Sequence, residues 1–252
     1  MGEAQRRRGG VWETLKTILY AVAVAVLVRT FAYEPFNIPS SSMVPTLLEG
    51  DYLFVAKFSY GYSRYSFPFS FPPFEGRIFG GEPERGDVAV FRLPADDKTD
   101  YIKRIVGLAG DRIQVKGGVL HINDEPVARE RVDDFVETDY FGRERRVPQY
   151  EETLPNGRRY RVLDRDPHGL LDDTGVYVVP EGHYFAMGDN RDNSVDSRVP
   201  AEQLGVGFVP AQNLIGRADI LFYSTSGGAR PWEFWKWLGA TRFERMFKTV
   251  GP

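Results

Sequence analysis

Three separated segments carry side chains that could perform acyl-transfer chemistry. The first is Glu34-Pro-Phe-Asn-Ile-Pro-Ser-Ser-Ser-Met-Val-Pro-Thr-Leu47. Pro39 and Pro45 bias Ile38 and Val44 toward extended backbone and exclude a helix, so three serines lie on a constrained, irregular stretch. Serines between prolines make a polar loop in most proteins and a nucleophile in a few. The second segment, Asp100-Tyr-Ile-Lys-Arg-Ile-Val-Gly-Leu-Ala-Gly-Asp111, sets Lys103 in a mostly apolar run. A strand there can carry the amine into the interior or let it reach solvent. The third, Phe185-Ala-Met-Gly-Asp-Asn-Arg-Asp-Asn-Ser-Val-Asp-Ser-Arg198, is dense in groups that satisfy backbone in tight turns. It is not a calcium loop, because Arg191 occupies the third position counted from Asp189 and no glycine stands at the sixth.

Together the three segments resemble the conserved boxes of bacterial signal peptidase I, the membrane-bound leader peptidase of the serine–lysine class. Pro-Ser-x-Ser-Met-x-Pro-Thr-Leu, Tyr-Ile-Lys-Arg and Gly-Asp-Asn-x-x-x-Ser-x-Asp-Ser-Arg occur in the family's order, with Arg85-Gly86-Asp87 fitting an intermediate box. The resemblance runs from Glu34 to Arg217 outside a variable insertion, and Ser41 stands where some members carry glycine. It implies that Ser42 is the nucleophile and Lys103 its general base. Ser194 would orient the lysine, and the Ser42 N–H and Ser40 hydroxyl would form the oxyanion hole. Gly188 would allow close backbone approach, with Asp196 and Arg198 as a structural ion pair. Phe36, Ile38, Pro39, Met43, Leu47, Tyr101 and Ile102 would line pockets for small side chains, giving an Ala-x-Ala substrate pattern.

The implied substrates are signal peptides of exported preproteins, bound as an added strand, and the dyad needs neither cofactor nor metal. Its chemistry is physically coherent. A lysine with a free pKa of about 10.4 must fall by roughly 2–3 units to act as a base near neutrality, which calls for an apolar setting. Tyr101, Ile102, Ile105 and Val106 can supply one. A dyad of this kind uses no histidine, and His121, His168 and His183 read as structural or surface groups. Two other readings compete. One is a self-cleaving protein of the related SOS-repressor protease fold, disfavoured because the sequence shows an anchor and no DNA-binding region. The other is a membrane-tethered β module that binds peptides on an edge strand.

The elements that must position these groups read as mainly β. The chain of 252 residues is 42% apolar and 27% charged, so it can bury a core, and its 26 glycines and 17 prolines are too many for a helical bundle. A net charge of -3 argues against a dedicated nucleic-acid binder. The absence of cysteine excludes disulfides, thiolate metal sites and a cysteine nucleophile. Strands are expected at Asp87–Leu93, Val176–Pro180 and His183–Met187. Hairpins are expected from Arg112–Lys116 with Val119–Asn123 across Gly117-Gly118, and from Gln149–Leu154 with Arg158–Leu163. Residues 112–182 hold 26 charged side chains in 71 positions and read either as an inserted, hairpin-rich β subdomain with little core of its own or as the charged face of one domain.

The N-terminus and the aromatics point to a bilayer. Arg6, Arg7 and Arg8 precede Thr17–Val28, a run of 12 residues without a charge. Extended to Val11–Tyr33 it is long enough to cross, with Lys16 and Arg29 snorkelling and Trp12 and Tyr33 at the interfaces. A cleaved signal peptide and a buried core helix are the alternatives. The first is disfavoured by Phe31, Tyr33, Glu34 and Pro35 where small residues should stand. With the arginines inside, the rest of the chain lies on the extracytoplasmic face of the bacterial inner membrane. The expected organisation is a basic tail 1–10, an anchor 11–33, a catalytic domain 34–111 and 183–228 interrupted by 112–182, and an aromatic tail 229–252. Aromatics make up 14% of the chain; Tyr52–Phe79 holds 11 of them in 28 residues and Pro231–Phe247 six in 17. Both stretches are expected either to lie on the phospholipid bilayer or to pack within the β domain.

Overall fold

The computed structural model describes residues 3–67, 70–138, 142–226 and 233–251. It is mainly β, as expected, with antiparallel sheets and one long N-terminal helix. Helix α1 runs Glu3–Phe31. Its stretch Gly10–Phe31 has 22 residues and a mean hydropathy of 1.7, and its apolar window is unburied. Twenty-two helical residues reach about 33 Å, sufficient for a hydrocarbon core of roughly 30 Å. The helix stops short of Tyr33, which instead opens the first strand and donates its hydroxyl to Asp219 Oδ2 at 3.2 Å. Tyr33 is therefore a sheet residue rather than the outer end of the spanning helix.

Among the described residues, fourteen strands follow in chain order. Those of the principal sheet are β1 (Tyr33–Asn37), β2 (Asp51–Ala56), β3 (Val88–Arg92), β4 (Asp100–Gly107), β12 (His183–Met187), β13 (Val209–Pro210) and β14 (Leu214–Ser224). They are ordered β1-β2-β14-β3-β4-β12-β13. One face buries Leu53, Val55, Val88, Val90, Ile215 and Ala218, and the serine segment closes over it through Ile38, Met43 and Leu47. A second cluster, centred on Phe91, Ile105, Ala186 and Leu214, fills the other face. Strand β12 covers β4 only at Arg104–Gly107, which leaves the Asp100–Lys103 edge without a partner strand.

Residues 112–182 form two smaller sheets. One contains β5 (Arg112–Lys116), β6 (Val119–Ile122), β7 (Glu125–Pro126) and β11 (Tyr177–Val178). The other contains β8 (Ala128–Thr138), β9 (Glu144–Thr153) and β10 (Arg159–Leu163). Gly117 and Gly118 both take positive φ, +52° and +75°, the backbone a two-residue hairpin turn demands. High charge does not leave this region hollow. Ile113, Val115, Leu120, Ile122, Leu154 and Val162 form a buried cluster that continues into Phe185 and Met187 of β12.

Beyond β14, helix α2 (Phe234–Ala240) exposes Trp235, Trp237 and Leu238, and the chain then returns to the sheet. Arg245 pairs with the fully buried Asp51 at 2.5 Å, and Val250 enters the core. Trp232, Phe69 and the expected boundary at 228–229 lie outside the described residues.

Gly216 sits in β14 where the register shifts against β3, and a Cβ there would lie 2.5 Å from the Ala56 carbonyl oxygen. Backbone on a paired strand cannot yield as a side chain can. Gly216→Ala should lower unfolding stability by about 2 kcal/mol or more, read as a reduced midpoint in urea at unchanged slope.

Candidate active site

Strand alternation sets up the site. Lys103 and Arg104 are consecutive on β4, so their side chains leave opposite faces of the sheet. Both are buried, at 3% and 1% exposure, and each needs a different solution. Arg104 finds a carboxylate: its Nε and Nη2 reach Asp189 at 2.9 and 2.7 Å, while Nη1 donates to the Gly86 carbonyl at 2.7 Å. Lys103 finds none in contact. Its Nζ lies 2.7 Å from Ser42 Oγ and 3.0 Å from the Ile102 carbonyl, above the Tyr101 ring. Burial lowers the amine from the ordinary lysine range to about 8, against the opposing pull of Asp196 and Asp189.

Ser42 sits in a single 3-10 turn, Ser41–Met43, entered from extended backbone at Ser40. The first N–H groups of such a turn, that of Ser42 among them, have no partner inside it. Ser40 Oγ is 3.3 Å from Ser42 Oγ.

The third segment wraps the back of this turn. Asn190 donates its backbone N–H to the Ser42 carbonyl at 3.1 Å and its side-chain amide to the Ser41 carbonyl at 2.9 Å. Asn193 donates to Ser41 Oγ at 2.6 Å. Gly188 passes so close that a Cβ would stand 2.2 Å from Ser194 Oγ and 2.6 Å from the Ser42 carbonyl oxygen. Its N–H donates to Asp196 Oδ2 at 3.0 Å, and Arg198 grips both Asp196 oxygens at 2.9 Å. Burial alone would raise the Asp196 carboxyl; Arg198 and the Gly188 N–H outweigh it and hold the group below its ordinary value.

A cleft of about 360 Å³ opens beside Ser42 and Lys103. Phe36, Ile38, Pro39, Tyr101 and Ile102 line it as expected from the sequence, joined by Val90 and Val195. Met43 and Leu47 do not. Both are fully buried beneath the cleft, because the turn directs them into the sheet core and leaves the surface to the flanking extended residues. Ser194 is at the site, but its hydroxyl bears on Asp196, whose carboxyl it helps lower, and the lysine is directed at Ser42 and Ile102. His121 and His183 hold nearby backbone carbonyls through Nδ1, and none of the three histidines lines the cleft.

Against this geometry the comparisons are decisive. A family model described as signal peptidase, peptidase S26, matches residues 11–223. The chain belongs to this family. The signal peptidase I of Rickettsia typhi is 39% identical, covering 95% of this chain and 94% of its own length. That of Rickettsia canadensis is 44% identical over 93% and 92%. A solved signal peptidase I from Enterococcus faecalis aligns at 22% identity over 54% of this chain and 97% of its own, with a TM-score of 0.32. The chain is accordingly a peptidase of the signal peptidase class.

Thr46, Arg104, Asp189, Asn190 and Asn193 lie within the quoted segments, but the sequence assigns them no role at the site. One signal was available for Arg104, since two adjacent basic residues on a buried strand cannot both reach solvent. Asp189 joins the serine segment to β4, accepting from Thr46 Oγ1 at 2.5 Å as well as from Arg104. Among the described residues one group of carboxylates could approach a metal, Asp164, Asp172 and Asp192. Asp164 already pairs with Arg129 at 2.5 Å, and backbone N–H groups of Arg165, Asp166 and Gly169 satisfy the other two.

Removing one member of a buried ion pair strands the other in low dielectric. Asp189→Ala should cost about 3–5 kcal/mol of stability, whereas Arg104→Met with Asp189→Leu should cost less than either single change. Denaturant unfolding of Asp189→Ala, Arg104→Met, Asp189→Leu and the Arg104→Met/Asp189→Leu double variant checks both statements.

Proposed function

We propose that this chain removes signal peptides from exported preproteins, with Ser42 as nucleophile and neutral Lys103 as general base. The observation that carries the reading is the 2.7 Å approach of a buried lysine amine to a serine hydroxyl at the edge of an apolar cleft. Serine becomes nucleophilic when a base takes its proton, and an amine held near pH 8 can do so at neutrality.

In the proposed reaction the Ser42 proton passes to Nζ as Oγ attacks the scissile carbonyl. The Ser42 N–H and the Ser40 hydroxyl, which lies 3.3 Å from the nucleophile, receive the developing oxyanion. The ammonium then protonates the leaving amine. Neutral again, Lys103 takes a proton from a water that attacks the acyl–serine carbonyl, and the ammonium returns that proton to Ser42 Oγ as the ester bond breaks and the acyl fragment leaves with a new carboxyl terminus. Ser194 is assigned to hold the amine once Oγ is acylated and no longer available as its partner. Gly188, Asp196 and Arg198 form the wall against which this occurs.

Substrate would lie extended between the Asn37–Ser40 chain and the unpaired Asp100–Lys103 edge of β4, gaining main-chain hydrogen bonds. A cleft of about 360 Å³ walled by Phe36, Ile38, Tyr101 and Ile102 suits small apolar side chains. That supports cleavage after an Ala-x-Ala pattern.

The membrane reading follows from the same elements. α1 spans the inner membrane with its basic start inside, so the site faces the extracytoplasmic side. At the exit, Phe31 packs edge-on against Tyr62 and Phe67, each at 5.9 Å, and Tyr62 donates to the Phe31 carbonyl at 2.6 Å. The first aromatic stretch therefore gathers where the helix would leave the bilayer, and it exposes Phe58, Phe71 and Phe79. These side chains are assigned to the lipid surface, beside a substrate that emerges from the same leaflet.

Full-length protein incubated with a preprotein separates this account from its competitors. Ser42→Ala and Lys103→Met should each retain under about one thousandth of wild-type cleavage. The wild-type rate should rise about tenfold per pH unit below pH 8 and flatten above it, because deprotonation of Lys103 creates the active base. Equal cleavage by all three proteins would remove the dyad, no cleavage by wild type would favour a peptide-binding module, and cleavage of its own chain alone would mark a self-processing protein.

A further inference from the structure

Ser42 occupies a turn, not a strand, so no sheet ladder fixes it, yet its oxygen must be held to within a few tenths of an ångström to react efficiently. The groups that hold the turn come from Asn190 and Asn193, and Asn190 is itself held from residues 112–182. Its Oδ1 accepts from Arg165 Nε at 3.1 Å. The rest of the Arg165 guanidinium is clamped by Glu137 of β8, with both nitrogen–oxygen distances 2.9 Å.

This arrangement decides which way the Asn190 amide faces. A guanidinium can only donate and a carbonyl can only accept. With Arg165 on Oδ1, the amide must present its NH₂ to the Ser41 carbonyl, where the contact is 2.9 Å. The Ser41 carbonyl favours the same orientation, and Arg165 reinforces it and ties the amide to β8, since a flipped amide would face oxygen to the Ser41 carbonyl and NH₂ to the guanidinium. The surrounding surfaces are continuous with this chain of bonds. Leu163 N–H donates to the Asp189 carbonyl at 2.8 Å, and Leu163 and Val147 pack with Val44 on the serine segment, flanked by Phe135 and Leu48.

We propose that Arg165 is a positioning residue for Ser42, acting through Asn190, and that residues 112–182 thereby brace the nucleophile from behind. The proposal rests on the reading of Ser42 as nucleophile. It assigns the charged region a mechanical task in catalysis although none of its residues lines the cleft.

The test uses full-length protein in detergent, with initial rates on a preprotein for wild type, Arg165→Met, Arg165→Lys, Asn190→Ala, the Arg165→Met/Asn190→Ala double variant and Ser42→Ala. Arg165→Met should lower kcat about tenfold while KM stays within about twofold. Arg165→Lys, which can still donate to Oδ1, should recover part of that loss and keeps the question open to measurement should Arg165→Met fold poorly. Asn190→Ala should lose more, and the double variant should lose no more than Asn190→Ala alone, since both changes break one chain of contacts. Arg159→Ala, which removes a solvent-exposed partner of Glu151 on the same hairpin, should keep wild-type kcat. Wild-type kcat in both Arg165 variants with Ser42→Ala inactive would overturn the positioning role and leave the nucleophile in place. Multiplicative losses in the double variant would also overturn it, because Arg165 would then act independently of Asn190. Full activity of Ser42→Ala would overturn the nucleophile and this proposal together.

Discussion

A lysine amine that must be buried without becoming a counter-ion is the constraint on which the rest of this structure depends. Two carboxylates lie close enough to pull Lys103 toward its charged form, Asp189 and Asp196. Each is neutralised by an arginine of its own, Arg104 for the first and Arg198 for the second. Desolvation then prevails, and the amine falls from 10.5 to about 8. That displacement corresponds to about 3 kcal/mol of disfavoured charge. Its sign follows from linkage: between about pH 8 and 10.5 the unfolded chain binds the proton and the folded chain does not. The cost is thus present in full below pH 8 and disappears as pH rises through the unfolded value. Elsewhere the core must supply the stability that the site gives up.

Lys103 and Ser42 are held by different physics. Lys103 is fixed by a central strand, paired with Ala89 of β3, and its surroundings are set by side chains packed on the sheet. Ser42 is fixed by side-chain and backbone donors reaching across from Asn190 and Asn193. Glycine at 188 is what lets those two systems meet, since any side chain there would collide with Ser194 and with the Ser42 carbonyl. The buried pairs behind the site set its geometry more than they add net stability.

Much of this was legible in the sequence because chemistry and turn formation leave local traces. Three short segments carried the serine, the lysine and the Asp-, Asn- and Ser-rich wall, and turn residues located the β5–β6 and β9–β10 hairpins. What was not legible depended on distant partners. β8 is an eleven-residue strand rich in charge, and only its long ladder with β9 makes it a strand. Met43 and Leu47 carry a pocket-like composition, yet burial is decided by the direction of a turn that apolar character does not reveal. Asp189 and Asn190 read as turn formers and proved to be partners of residues 85 and 149 positions away. Charge density in 112–182 left open an inserted subdomain with little core or the charged face of one domain, and its inner face packs against both β12 and the serine segment.

The central claim is that the fold desolvates Lys103 enough to bring its titration down to near pH 8, so that a reactive uncharged fraction is present at neutrality. Its most direct test is an NMR titration of the Lys103 side chain in full-length, lysine-labelled protein, assigned by comparison with Lys103→Met. The account predicts a midpoint near pH 8, set apart from the other lysines. A midpoint above pH 10, coincident with solvent-exposed lysines, would contradict it.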